Sequence, residues 1–156
     1  MENDPKTGPR ADPDALKAWY KPKLDEVVQE MIKLGAVAGA AIEAAPVWVA
    51  PNKFLVAKVW AAGQAKQFIW TISGDDVVTD HIPGSMANHP RDVAKHFALK
   101  WQMNADQIAH LADNRPMTLA DQSKMKSRAE KLIRDAEFLY DLTTRDDIWD
   151  MQDDTR

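Results

Sequence analysis

The chain has 156 residues, of which 45% are hydrophobic and 28% charged, with a formal net charge of −4 and no cysteine. A chain of this size is typical of one ordinary domain, and it buries about two-thirds of its surface without help from a disulfide or a metal. The lack of cysteine excludes disulfide frameworks and thiolate zinc sites. No stretch approaches the roughly 20 apolar residues of a membrane span, so we expect a soluble, cytoplasmic protein without membrane contact.

The chain is expected to divide into a leader, one domain and a tail. Residues 1–11 contain prolines and a glycine and little that packs, which indicates a disordered leader rather than a signal or transit peptide. A single domain is expected over residues 12–149, followed by an acidic tail at residues 150–156.

The first element of the domain is predicted to be a helix. It begins with Asp12 as its cap and Pro13 at its first position. Pro22 is expected to kink or restart this helix. Gly35 is expected to end it, because glycine adopts the left-handed conformation of a helix C-terminus.

The middle of the chain is predicted to form antiparallel strands. Residues 47–49, between two prolines, suit a short edge strand. Residues 54–60 and 67–73 are rich in β-branched and aromatic side chains on both faces, so we expect a hairpin of central strands. Residues 77–79 are expected to add a fourth short strand.

The C-terminal half is predicted to be helical. Asn88 or His89 is expected to cap a helix with Pro90 at its first position, ending near residues 114–116. Thr118 is expected to cap a second helix, whose apolar face is formed by Met125, Ala129, Leu132, Ile133, Ala136, Leu139 and Tyr140. The expected fold class is α+β: an N-terminal helix, a three- to four-stranded antiparallel sheet, and two C-terminal helices packed on the sheet.

Several short motifs follow one another in order: residues 70–75 (WTISGD), 79–82 (TDHI), 89–92 (HPRD), Phe97, Trp101-Gln102, 127–130 (SRAE) and 146–149 (DDIW). Over roughly residues 16–149 they resemble a proteobacterial family, number 4826 in the domain-of-unknown-function series. One departure is Asp76-Val77-Val78, where the resemblance leads us to expect a proline before Thr79. The resemblance implies a small bacterial cytosolic protein and carries no activity or ligand to this chain.

Asp75, Asp80 and His81 belong to the densest polar segment of the sequence. Carboxylates and an imidazole are groups that bind divalent cations or transfer protons, so one hypothesis is a metal-assisted, hydrolase-like enzyme. The simpler interpretation is a turn whose side chains bind their own backbone, and we favour it. We therefore assign no catalytic residue, no metal ligand and no cofactor, and we leave catalysis open while favouring a protein without it.

Two basic features suggest anionic ligands. Arg91 stands in the first turn of a predicted helix, where free N–H groups and the helix dipole favour an anion. The simpler interpretation is that Asp92 already satisfies this helix start, and we favour it. Residues 124–134 carry five basic side chains against one acid, Glu130, which is a pattern that binds nucleic-acid phosphates. The net negative charge and the acidic C-terminus count against nucleic acid.

Ile148 and Trp149 form an apolar pair in a polar C-terminal segment. Either this segment docks on the body of the domain, or the pair anchors a protein partner or a second copy of the chain. The favoured function is therefore a non-catalytic bacterial domain that acts through protein–protein interaction or small-anion binding. The alternatives are the enzyme described above and nucleic-acid binding through residues 124–134.

Overall fold

A computed structural model describes residues 13–50, 53–75 and 77–153, so the expected leader at residues 1–11 and the expected cap Asp12 lie outside the described residues. The elements in chain order are α1 (Pro13–Lys33), β1 (Ile42–Ala50), β2 (Phe54–Ala61), β3 (Ile69–Gly74), β4 (Asp80–Pro83), α2 (Pro90–Asn114), α3 (Leu119–Thr143) and α4 (Asp146–Asp153). They confirm the α+β class and the expected order of helix, sheet and helices. None of the described helices is long and apolar enough to cross a membrane.

The four strands form one antiparallel sheet in the order β1-β2-β3-β4. The prediction of central strands for β2 and β3, and of an edge position for β1, is confirmed. The prediction for the fourth strand is wrong by three residues: it pairs over residues 80–83, whereas Val77 is buried in the core before the strand begins. The sequence of β4 has little strand character of its own, and its position follows from its pairing with β3.

The strand β1 is longer than the predicted three residues and contains a β-bulge. The bulge changes the face of the sheet to which the following side chains point. Pro46 pairs with Ala57 and Trp48 with Val56, so Val47 is an extra residue between them. In a regular strand, residues two positions apart, such as Pro46 and Trp48, would point to the same face of the sheet, because side chains alternate along a strand. The bulge turns the Trp48 ring into the main core, where it is 3% exposed.

Helices cover both faces of the sheet. Phe54 and Val56 point towards α2, α3 and α4 in the larger core, whereas Val59 points to the other face, where it contacts Val27 and Met31 of α1. The molecule therefore has three layers, with α1 on one side and the C-terminal helices on the other. The two long helices expected after the sheet are α2 and α3, and the short helix α4 follows them.

The C-terminal end of α1 follows from local chemistry, but its middle differs from the prediction. The helix continues through Pro22, which is exposed, so the prediction of a restart there is wrong. Gly35 ends the helix as predicted, with a φ of 74°. The N–H of Ala36 bonds to the carbonyl of Met31 and that of Gly35 to Ile32, which is the Schellman arrangement of a helix C-terminus.

The helices α2 and α3 form a closely packed antiparallel hairpin. The predicted caps are confirmed: His89 accepts a hydrogen bond from the N–H of Arg91, and Thr118 accepts one from Asp121. Small side chains recur every seven residues where the two helices face each other. They are all buried: Ala98, Ala105 and Ala112 of α2, and Ala129 and Ala136 of α3. Small residues at these positions let the two helices approach each other closely.

Candidate functional site

A cavity of about 410 Å³ lies between α2, α3 and the segment that leads into β4. We call it the niche. Its apolar lining comes from Trp101, Ile108, Leu111 and Leu132, and its polar lining includes Asp80, Asn104, Gln107, Arg128 and Lys131. Apolar walls with a few convergent polar groups, in a volume of roughly 300–1,000 Å³, are typical of small-molecule sites.

Asp80 forms one wall of the niche and is held rigidly. One carboxylate oxygen accepts hydrogen bonds from Lys100 Nζ and from the His81 N–H, both at 2.8 Å. The other accepts a bond from the indole Nε1 of Trp101, also at 2.8 Å. These bonds tie β4 to α2, so Asp80 shapes the niche.

Arg128 and Lys131 bring positive charge to the opposite wall. Lys131 forms an ion pair with Asp135 at 2.8 Å. Arg128 is exposed, and none of the residues that the structure describes forms a hydrogen bond or an ion pair with its guanidinium. Its charge is therefore available to a ligand in the niche.

The basic segment 124–134 does not form one face. Lys124 lies one turn before Arg128 on the same side of α3, whereas Lys126 pairs with Asp113 of α2 at 3.5 Å. Arg134 lies about 120° around the helix from Arg128, at 100° per residue. The structure therefore divides this segment among separate surfaces of α3.

The side-chain amides of Asn104 and Gln107 complete the niche. Within the described part of the chain, neither amide has a hydrogen-bond partner. Amides offer both donors and acceptors, so they can orient a bound polar group. Sequence reasoning missed both residues, because polar residues on a helix carry no signal until the neighbouring helix is placed beside them.

Asp75, a candidate ligand residue, lies away from the niche. Its carboxylate accepts a hydrogen bond from Lys23 Nζ at 2.7 Å, and the Trp19 side chain bonds to it as well. The bond from Lys23 is the main reason that the pKa of Asp75 is lowered, and it raises the pKa of Lys23 in turn. This contact fastens α1 to the end of β3, on the opposite side of the sheet from Trp101.

His81 also points away from Asp80. Asp80 and Ile82 face α2, so the intervening His81 side chain faces the α1 side of the sheet. The structure thus does not bring Asp75, Asp80 and His81 together. No group of three histidine or acidic side chains suitable for a metal occurs in the part of the chain that the structure describes.

Arg91, a candidate anion-binding residue, is engaged within the chain. Its Nε donates to the carbonyl of Thr143 at 2.8 Å, and its Nη2 donates to Asp146 at 2.6 Å. The side chain of His89 already accepts the N–H of Arg91. The guanidinium therefore links the start of α2 to the end of α3 and to α4.

Ile148 and Trp149 pack on the body of the domain. The Trp149 ring is 1% exposed and stacks on Trp48 of β1 at 4.3 Å between ring centroids. Its Nε1 donates to the carbonyl of Leu142 at 2.8 Å. Of the two alternatives that the sequence left open, the structure has this segment docked on its own chain.

Comparison with known protein families gives a match over most of the chain. A family model described as a domain of unknown function matches residues 14–149, which is most of the chain. No curated protein and no solved structure matches. The match agrees with the family indicated by the sequence motifs, and the description of the family names no activity. The chain belongs to the family of the domain of unknown function DUF4826.

Proposed function

We propose that this protein is a non-catalytic binding domain whose niche takes a small organic anion, with a carboxylate or phosphate at Arg128 and an apolar body against Ile108 and Leu132. The observation that carries the proposal is the unpaired guanidinium of Arg128 beside an apolar cavity of about 410 Å³ in the described structure. This moves the expected anion site from Arg91 to Arg128.

The charge of the niche favours an anion over a cation. Lys100 and Trp101 already saturate the Asp80 carboxylate with hydrogen-bond donors, so it has little to offer a cation. On the other wall, Arg128 supplies a planar fork of donors that matches a carboxylate or phosphate. A ligand anion would therefore meet Arg128 first.

The apolar lining selects against a bare inorganic ion. Ile108, Leu111 and Leu132 are partly exposed and offer surface that only a hydrocarbon or aromatic group covers well. Burial of such a group contributes roughly 25 cal/mol per Å² of apolar area removed from water. The amides of Asn104 and Gln107 would then bind polar atoms on the ligand.

The two alternative functions have less support. The hydrolase hypothesis needs Asp75, Asp80 and His81 to converge on one metal, but their side chains are placed on different sides of the sheet. Nucleic-acid binding needs a continuous basic surface, and residues 124–134 are divided around α3. The cytoplasmic location and the proteobacterial origin stay predictions of the sequence.

Isothermal titration calorimetry at pH 7 tests the proposal with phenyl phosphate as the probe. We expect a dissociation constant of about 1 mM, since a ligand of this size reaches only a few kcal/mol. Benzyl alcohol lacks the charge and inorganic phosphate lacks the ring, so both should bind more weakly. Arg128→Gln should weaken phenyl phosphate binding about tenfold or more, since a charge-assisted hydrogen bond contributes roughly 1.5–3 kcal/mol.

Arg134→Gln is the matched control, because Arg134 is exposed on the same helix but faces away from the niche. Its affinity for phenyl phosphate should equal that of the wild type. Equal binding by the Arg128 and Arg134 variants, or equal binding of phenyl phosphate and benzyl alcohol, would refute the proposal.

A further inference from the structure

The outer side of the α2–α3 hairpin, which faces away from the sheet, carries a second concave surface. We call this surface the outer groove. It has a volume of about 490 Å³, and its lining includes Arg91, Lys95, Leu99, Gln102, Tyr140 and Thr143. The niche lies nearer the other end of the hairpin, so the two sites share no lining residue.

Large apolar side chains stand on both walls of the outer groove. Leu99 of α2 is 56% exposed and Tyr140 of α3 is 53% exposed. Met103 extends the α2 wall by one turn, and Ile133 lies two turns before Tyr140 on the same side of α3. Isolated exposed apolar residues are ordinary, but four on two adjacent helices form a patch that favours an occupant.

The apolar side chains along the outer groove suit a helical occupant. Leu99 and Met103 lie one turn apart on α2, and Ile133 and Tyr140 lie two turns apart on the adjacent helix α3. A third helix laid along the outer groove would place apolar residues at i, i+3 and i+7 between these side chains. This is the way in which amphipathic helices bind to helical surfaces.

The charges at one end of the outer groove define the occupant further. Lys95 and Arg91 are the charged residues of the lining, and no acidic residue lines the groove among the residues that the structure describes. Arg91 is paired with Asp146, whereas Lys95 has no ion pair within the described chain. An occupant with carboxylates at that end would complement Lys95.

We propose that the outer groove docks an amphipathic helix of a partner protein, with leucine-like side chains between Leu99 and Tyr140 and acidic residues at the end beside Lys95. The inference is independent of ligand binding in the niche. It assigns the protein–protein interaction expected from the sequence to a surface other than Ile148 and Trp149.

Fluorescence anisotropy tests this proposal with a labelled helical probe peptide of four turns. The probe carries leucines at i, i+3 and i+7 and glutamates in its first turn, and a control peptide carries lysines in place of the glutamates. We expect the acidic probe to bind, and the basic peptide to bind about tenfold more weakly or not at all. Leu99→Glu and Lys95→Glu should each weaken binding of the acidic probe about tenfold.

Leu119→Glu is the matched control, since Leu119 is 84% exposed at the other end of the hairpin. It should bind the acidic probe like the wild type. Failure of the acidic probe to bind, equal binding of the two peptides, or equal loss in the Leu119 and Leu99 variants would each overturn the proposal. The proposal would also be overturned if sedimentation analysis showed a dimer that Leu99→Glu dissociates. The outer groove would then bind a second copy of this chain. Binding of phenyl phosphate to the Leu99 variant separates this result from the fate of the niche.

Discussion

At the scale of single residues, two aspartates of the same polar segment bind different helices. Asp75 fastens α1 through Lys23 at 2.7 Å, and Asp80 fastens α2 through Lys100 and Trp101 at 2.8 Å. The two aspartates, five positions apart, thus tie the end of β3 and the start of β4 to helices on opposite faces of the sheet. These contacts explain why a strongly polar segment is needed in the middle of the fold.

The contact between Lys23 and Asp75 should make the docking of α1 depend on pH. Because the pKa of Asp75 is lowered on folding, its ionised carboxylate stabilises the folded state at a pH above the pKa of the unfolded chain. This stabilisation is lost as the pH falls through the pKa of the folded state. The raised pKa of Lys23 gives a contribution that is present below its unfolded pKa and is lost as the pH rises through the folded pKa.

Amide hydrogen exchange of α1 over a pH series checks this prediction, with Asp75→Asn as the comparison. The protection of α1 should be greater in the wild type at neutral pH, and the difference should vanish in acid. High salt should reduce the difference, because the pair is exposed to solvent. A difference that persists below the range in which carboxylates titrate would contradict the role of this pair.

Replacing Asp80 by alanine should destabilise the whole domain. The indole N–H of Trp101 would lose its acceptor in the core, and an unsatisfied buried donor costs about 1–3 kcal/mol. Urea unfolding measures the change. Asp106→Ala is the control, because Asp106 is exposed on the same helix that carries Trp101, and it should change the stability by less than about 0.5 kcal/mol.

At the scale of elements, the hairpin of α2 and α3 determines where both candidate sites lie. Buried alanines hold the helices together at several levels, including Ala98 and Ala136. The niche opens on the side of the hairpin that faces β4, and the outer groove opens on the side away from the sheet. A rigid hairpin is therefore a condition for both proposals.

Ala136→Leu should disturb the hairpin by overfilling the contact between the helices. Extra methylene groups in a well-packed core cost about 1–3 kcal/mol, because neighbouring side chains leave their preferred rotamers. Ala120→Leu, on an exposed position of the same helix, should leave the stability nearly unchanged. Thermal unfolding distinguishes the two, and equal melting temperatures would mean that the helices have room between them.

Local signals in the sequence predict where helices begin and end better than they predict which residues of a helix are exposed. Pro90 and Thr118 mark the helix starts, and Gly35 marks a helix end, because caps depend on a few neighbouring residues. Ile133 and Tyr140 share the helical period of the core positions of α3, yet both are exposed. Their exposure depends on which side of α3 meets α2, and the sequence of α3 alone does not contain that information.

At the scale of the whole molecule, helix α4 packs against strand β1. The bulge at Val47 turns Trp48 inwards, and Trp149 of α4 stacks on it. Residues one hundred positions apart in sequence thus share one part of the core, since Trp48 Nε1 also donates to the carbonyl of Ile148. The apolar pair of the C-terminal segment could be recognised in the sequence, but the residue it packs against could not.

Trp149→Ala should therefore cost the domain about 3–5 kcal/mol, as expected for the loss of a buried aromatic side chain. Chemical denaturation provides the measurement, and Tyr140→Ala serves as a control because its ring is half exposed. If Trp149→Ala left the unfolding free energy unchanged, the docking of α4 would contribute nothing to stability.

The niche is also a property of the whole molecule. Asp80 comes from β4, Asn104 from α2 and Arg128 from α3, so its lining is distant in sequence. The sequence identified Asp80 and the basic segment 124–134 as separate candidates. It did not indicate that they lie beside each other. Only the packing of the hairpin on the sheet brings the carboxylate and the guanidinium to one cavity.

The indole N–H resonance of Trp101 gives the most direct test of the niche, because Trp101 lines the cavity and its Nε1 is bonded to Asp80. In a nitrogen-15 NMR titration with phenyl phosphate, the resonance of Trp101 should shift, while those of Trp48 and Trp149 stay in place. Arg128→Gln should reduce the shift severalfold at the same ligand concentration, and Arg134→Gln should preserve it. A Trp101 resonance that does not move, or that moves equally in the Arg128 variant, would contradict ligand binding in the niche.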